Sequence, residues 1–178
     1  MAMVGLFWIA EGDVYVGAKP SGLDPGVRLT PEGVVALGDG QSGIHPWEDV
    51  RALSVTDVPV KSFMRQVGAV RSLAVGTVVN LALPMVPGRV DEAPATMTVT
   101  VESGGRHELA AYVAAAVGYS PAETELSRAL LSRLTEGAAT MATTLAAMSE
   151  WGRSSGGGTP RGAERERLLR EWAGGSGD

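Results

Sequence analysis

Apolar residues in the first sixty positions come in short bursts separated by glycine, proline and acidic turns. That is the spacing of strands joined by hairpins. Residues 6–10 and 14–18 flank a turn at Glu11, Gly12 and Asp13, and residues 27–29 and 34–37 flank a second turn, where Pro31 presets φ. A Gly-rich turn at 38–43 then leads through Ile44, His45, Pro46 and Trp47 into a fifth strand at 51–58. From Lys61 the period lengthens: Phe63, Val67, Val70, Ala74, Val78, Leu81 and Met85 recur at helical spacing, which predicts a hydrophobic helical insert over about 61–88. Strict alternation returns at 96–102, with Met97, Val99 and Val101 on one face and threonines on the other. A turn at 103–106 makes 107–113 its hairpin partner.

Ser120, Pro121 and Glu123 announce a helix: a side-chain cap, a proline where no N–H is needed, and a carboxylate positioned to complete a capping box. Leu126, Leu130, Leu134, Met141, Leu145 and Met148 continue one apolar face, so a single helix is expected over 120–151, kinked at Gly137. Residues 152–162 read as a flexible Gly/Ser linker. Residues 163–173 then form a short amphipathic helix with Arg165, Leu168, Leu169 and Trp172 on one face, followed by a tail at 174–178. So short a helix is marginal alone and is expected to dock on its own domain or on a partner.

Seven short strands, a helical excursion after the fifth and a long helix after the seventh is an order that resembles the pleckstrin-homology-like fold. The text Gly-Val-Arg-Leu-Thr-Pro-Glu-Gly-Val-Val-Ala-Leu at 26–37, followed by Pro-Trp-Glu-Asp-Val at 46–50, is similar to a run in small bacterial domains of that kind. The resemblance spans about residues 4–150 and departs from the family in the long apolar insert and the C-terminal appendage. It implies an α+β, mainly β fold: a seven-strand β-sandwich or open barrel with a C-terminal capping helix, filling residues 1–151. It also implies an interaction module, since such domains bind peptides, proteins or membrane lipids and share no catalytic residues.

Composition narrows the chemistry. The 178 residues include no Cys and two His, with a formal charge of −5. Thiolate metal sites, iron–sulfur clusters, disulfides and cysteine nucleophiles are excluded outright. The acidic balance disfavours nucleic acid, which needs clustered Lys and Arg. It equally disfavours anionic headgroups, because the 11–13 turn carries two acids where phosphoinositide recognition would need bases. Residues 38–43 match G-x-G-x-x-G, but the chain continues into Pro46 and Trp47 rather than into a helix that could meet a pyrophosphate. Ser42 lacks the final glycine of a nucleophile elbow. His45 and His107, with Glu48, Asp49 or Glu108 as possible co-ligands, lack metal-site spacing.

The N-terminus lacks a basic start and a cleavage site, and the apolar stretch after Arg71 is short of a membrane span, so a cytoplasmic protein is expected. The sequence therefore predicts a non-catalytic interaction or scaffolding module, with no cofactor and no metal. Its partner is expected to be another protein or a second copy, reached through Phe63, Val67, Val78, Leu81, Leu168, Leu169 and Trp172. The alternatives are peripheral attachment to a membrane surface through the apolar insert at 63–86 and a small hydrolase.

Overall fold

In a computed structural model, which describes residues 1–61 and 94–175, the short apolar bursts form nine antiparallel strands, and the fold is α+β, mainly β. Six of them make a meander whose sheet order is their chain order: β1 (Ala2–Val4), β2 (Phe7–Ala10), β3 (Asp13–Val16), β4 (Gly26–Leu29), β5 (Gly33–Leu37) and β6 (Gly43–Pro46). Three more make a second sheet, β7 (Val50–Thr56), β8 (Thr96–Ser103) and β9 (Arg106–Tyr112). Among the described residues neither sheet closes on itself into a barrel.

Register explains which side chains are buried, because residues directly opposite in a ladder share a face. Ala2, Ile9, Val14, Leu29, Val34 and His45 form one row across the large sheet. Val4, Phe7, Val16, Val27, Ala36 and Gly43 form the next row on the same face. The apolar members of both rows are buried, so this face is the core face. In the small sheet the expected Met97, Val99, Val101 face is likewise buried, opposite Ala111, Leu109 and His107.

Nine strands replace the seven expected. The extra ones are β1, only three residues long, and β6, whose residues read as part of the turn leading into the fifth strand. β1 and β2 turn through Gly5, whose φ of +58° suits glycine, and an added Cβ there would collide with the Ser127 hydroxyl and with Leu169 Cδ1. The helical insert expected over 61–88 falls outside the described residues apart from Lys61.

Three helices among the described residues complete the core. α1 (Pro121–Arg133) carries the full capping box: Ser120 Oγ accepts from the Glu123 amide at 3.1 Å, and Glu123 Oε2 accepts from the Ser120 amide at 3.3 Å. The kink expected at Gly137 is a complete break, with that residue extended (φ 161°, ψ 159°), so the single helix becomes α1 and α2 (Ala138–Ser154). Gly152 lies inside α2 rather than starting the linker. It is pressed against Ile9, where a Cβ would overlap Cγ2, so its lack of a side chain lets helix and sheet meet.

α3 (Gly162–Trp172) packs on α1 and β1. Its Leu168, Leu169 and Trp172 are buried, and Trp172 meets Trp151 edge-on with ring centroids 5.8 Å apart. Burying these three side chains contributes about 2 kcal/mol each. Arg165 is the polar fastener: its Nε donates to Glu123 Oε1 and its Nη1 to the Pro160 carbonyl at 2.8 Å.

Burial alone would push the Glu123 carboxyl up. The hydrogen bond and charge of Arg165, with the Ser120 amide and hydroxyl, outweigh that and hold it below the usual carboxylate range. A carboxylate whose folded pKa lies below its unfolded one stabilises the fold above the unfolded pKa, and the contribution disappears as pH falls through the folded value. Urea denaturation of Glu123→Gln at pH 7 should therefore show a loss of roughly 3 kcal/mol. The gap to the parent chain should narrow in acid, once the parent carboxyl is itself protonated. A gap independent of pH would remove the ion pair from the account.

Candidate interaction surface

Of the side chains expected to meet a partner, Phe63, Val67, Val78 and Leu81 lie outside the described residues. Leu168, Leu169 and Trp172 are 3%, 0% and 5% exposed and belong to the chain's own core. Their place as partner contacts is corrected to a structural one: the inner surface beside β1 needs cover, and α3 supplies it.

The two histidines, distant in sequence, meet. His45 on β6 lies opposite buried Val34 and His107 on β9 lies opposite buried Val101, so both sit on the core faces of edge strands, where the gap between the sheets opens. Their ring centroids are 4.6 Å apart and the rings are tilted by 43°. His107 Nε2 is 3.1 Å from the Ser103 carbonyl, to which it donates when it carries the proton. Burial first, and the neighbouring His107 second, push the His45 imidazole down from its ordinary value. Among the described residues no three His, Asp or Glu gather as a metal site would require. Glu108 instead pairs with Arg106 at 3.0 Å.

Gln41 is the residue that sequence reasoning missed. It sits inside the Gly-rich 38–43 turn, which runs directly into β6 rather than into a helix. Its side-chain amide behaves as one more strand residue: Oε1 accepts from the Ala110 amide at 2.8 Å and Nε2 donates to the Ala110 carbonyl at 2.9 Å. Nε2 also lies within reach of the Gly26 and Leu37 carbonyls, at 3.1 and 3.0 Å. The Ala18 amide donates to the Tyr112 carbonyl at 2.7 Å, so Gln41 and Ala18 together tie β9 to the large sheet. A lone glutamine between glycines carries no sequence signal of such a role.

Two open sheets have four edges, and their surroundings differ. β1 is met by Thr159, whose Oγ1 accepts from the Met3 amide at 3.2 Å. β7 is packed by α1, and β9 is engaged by Gln41 and Ala18. Among the described residues β6 has no such cover. Its outward side chain, Ile44, is 49% exposed. Ile44 ends a row that crosses the outer face of the large sheet through Val35, Arg28, Tyr15, Trp8 and Met3.

Arg28 in that row pairs with Asp13 at 2.6 Å. Burial, then the Asp13 charge, pushes the Tyr15 hydroxyl up. Exposed acids surround β6: Asp39 before it, Glu48 and Asp49 after it, and Glu32 on the adjoining turn, with Arg51 further on. Beside it a groove of about 300 Å³ is lined by Trp47, Val50, Leu134 and Met141. Among the described residues no helix is long and apolar enough to cross a membrane.

Gln41→Ala should lower stability by about 2 kcal/mol, because it strands half-buried partners on two strands. Faster hydrogen exchange at Ala110 in that variant would separate loss of the tie from a general loosening, and unchanged stability would refute it. In His107→Gln, NMR titration of the His45 ring should move part of the way back toward 6.5, with the burial contribution remaining.

Compared with known families, curated proteins and solved structures, the chain matches no family model, no curated protein and no solved structure.

Proposed function

We propose that the chain is a non-catalytic, cytoplasmic protein–protein interaction module with a pleckstrin-homology-like fold, and that it takes an extended, basic segment of a partner protein along β6. The observation that carries this reading is the edge of β6, uncovered among the described residues, whereas the other three sheet edges are met by a linker, a helix and a glutamine side chain. An unpaired edge offers backbone donors and acceptors to an added strand. Exposed Ile44 gives that strand an apolar contact, and the acids at 32, 39, 48 and 49 favour Lys or Arg at its ends. The absence of Cys and the presence of only two His support a non-catalytic role. A second copy of the chain is a less suitable guest, since two β6 edges would bring these acids together.

Ile44→Lys adds a like charge where a basic segment would lie, at a position that contributes nothing to the core. Partner recovery from the source cells should fall about tenfold with this variant, while the melting temperature stays within a degree or two. Glu48→Lys with Asp49→Lys should weaken recovery in a salt-dependent way. Undiminished recovery in both variants would overturn the β6 reading. A dimer that dissociates on Ile44→Lys would replace the basic segment with a second copy as the occupant.

A further inference from the structure

Among the described residues β6 joins a ladder only with β5, through Gly33–Pro46, Val34–His45, Val35–Ile44 and Ala36–Gly43. On its inner face the half-buried His45 ring meets the exposed His107 ring of β9, with centroids 4.6 Å apart, so this contact bridges the two sheets. Two rings that can each gain a positive charge therefore stand in contact at a junction. Among the described residues neither is paired with a carboxylate. The ladders set apolar residues beside them: Val34 of β5 is opposite His45, and Val101 of β8 is opposite His107. Arg106 and Glu108 alternate to the outer face of β9 and pair there at 3.0 Å, with Glu102 of β8 opposite Arg106. Glu48, Asp49 and Arg51 share a groove with Ser103 and Gly104, beside the Ser103 carbonyl that His107 Nε2 meets. Glu32 and Asp39 are exposed on the turns before β5 and β6.

We propose that the His45–His107 contact makes β6 an acid-released edge: with a proton on each ring the cations repel, the rings part, and the β5–β6 ladder opens more often. Imidazole gains its charge between about pH 5 and 8, so the device works around and below neutrality. Burial, then His107, holds the His45 imidazole below its ordinary value. A group lowered in the folded state stabilises that state above its unfolded pKa, and the contribution is lost as pH falls through the folded value. The direction is therefore release in acid. An edge strand held by one ladder is where so local a change is felt as opening rather than as global unfolding. The same two charges oppose a basic segment along β6. That consequence rests on the β6 reading above, whereas the opening itself does not.

The test is amide hydrogen exchange on the full chain without a partner, expressed as protection relative to an unfolded chain at each pH. Protection in the β5–β6 ladder should fall about threefold between pH 7.5 and pH 5, a modest factor because partly exposed charges are screened. The β2–β3 ladder of the same sheet should hold its protection. Glu123, kept below the usual carboxylate range, retains its charge at pH 5, so the α3 fastener stays closed. The nuclear Overhauser contact between the His45 and His107 rings should be present at pH 7.5 and lost at pH 5. In His107→Gln the fall at β5–β6 should vanish. An equal fall in both ladders, a ring contact that survives at pH 5, or an undiminished fall in His107→Gln would overturn the proposal. The ladder and ring comparisons need no variant and decide the outcome even if the substitution disturbs folding. Partner recovery plays no part in them, so failure of the β6 docking reading would leave this result standing.

Discussion

The fold is governed by a mismatch in width between its two sheets. Strands lie about 4.8 Å apart, so a six-stranded sheet offers an apolar inner face about twice as wide as a three-stranded sheet can cover. The small sheet reaches only part of the large one, through β9 over β4 and through the His45–His107 contact at the β6 end. The face of β1, β2 and β3 would otherwise be wet. α2 lies against β2 and β3, and α3 lies against β1. The helices are thus the second half of the core layer, as an apolar sheet face requires.

That constraint explains why a short C-terminal helix, which would be marginal alone, is held by several independent contacts. Gly5 removes a side chain where Leu169 and Ser127 approach the first hairpin, and the Ser127 hydroxyl accepts from the Leu6 amide at 3.1 Å. Arg165 reaches back to the carboxylate that caps α1, so one residue, Glu123, serves both the start of α1 and the docking of α3. A buried ion pair fixes register more surely than it adds stability. The apolar area of Leu168, Leu169 and Trp172 supplies the driving force, and the charge pair selects where it is applied.

Local features were legible in the sequence and long-range ones were not. The β8–β9 hairpin follows from strict alternation at 96–102, and the α1 start follows from Ser120, Pro121 and Glu123, because both signals lie within a few residues of the structure they specify. β1 escaped because three residues cannot display a period, and β6 because its glycine and proline read as part of the preceding turn. The amphipathic face of α3 could be read from Leu168, Leu169 and Trp172, but its receptor could not. That receptor is assembled from Gly5, Ser127 and Glu123, residues from two distant stretches of chain, none of them marked as such. For the same reason His45 with His107 and Gln41 with Ala110 appear only once the two sheets are brought together.

The fate of α3 also changes where a partner should be sought. An amphipathic helix on a Gly/Ser tether invites the reading of a free arm, yet its apolar residues face β1, and Thr159 in the tether itself bonds the β1 edge. Covering an edge with a linker is one of the ways proteins prevent unintended strand pairing. At the other end of the same sheet, the described chain leaves β6 without that protection and surrounds it with acids instead. Charge repels a second copy of the same edge but attracts a basic strand, so it discriminates between guests where a linker would exclude them all. The asymmetry between the two ends of one sheet is what the proposed role of β6, selecting a partner by charge, would require.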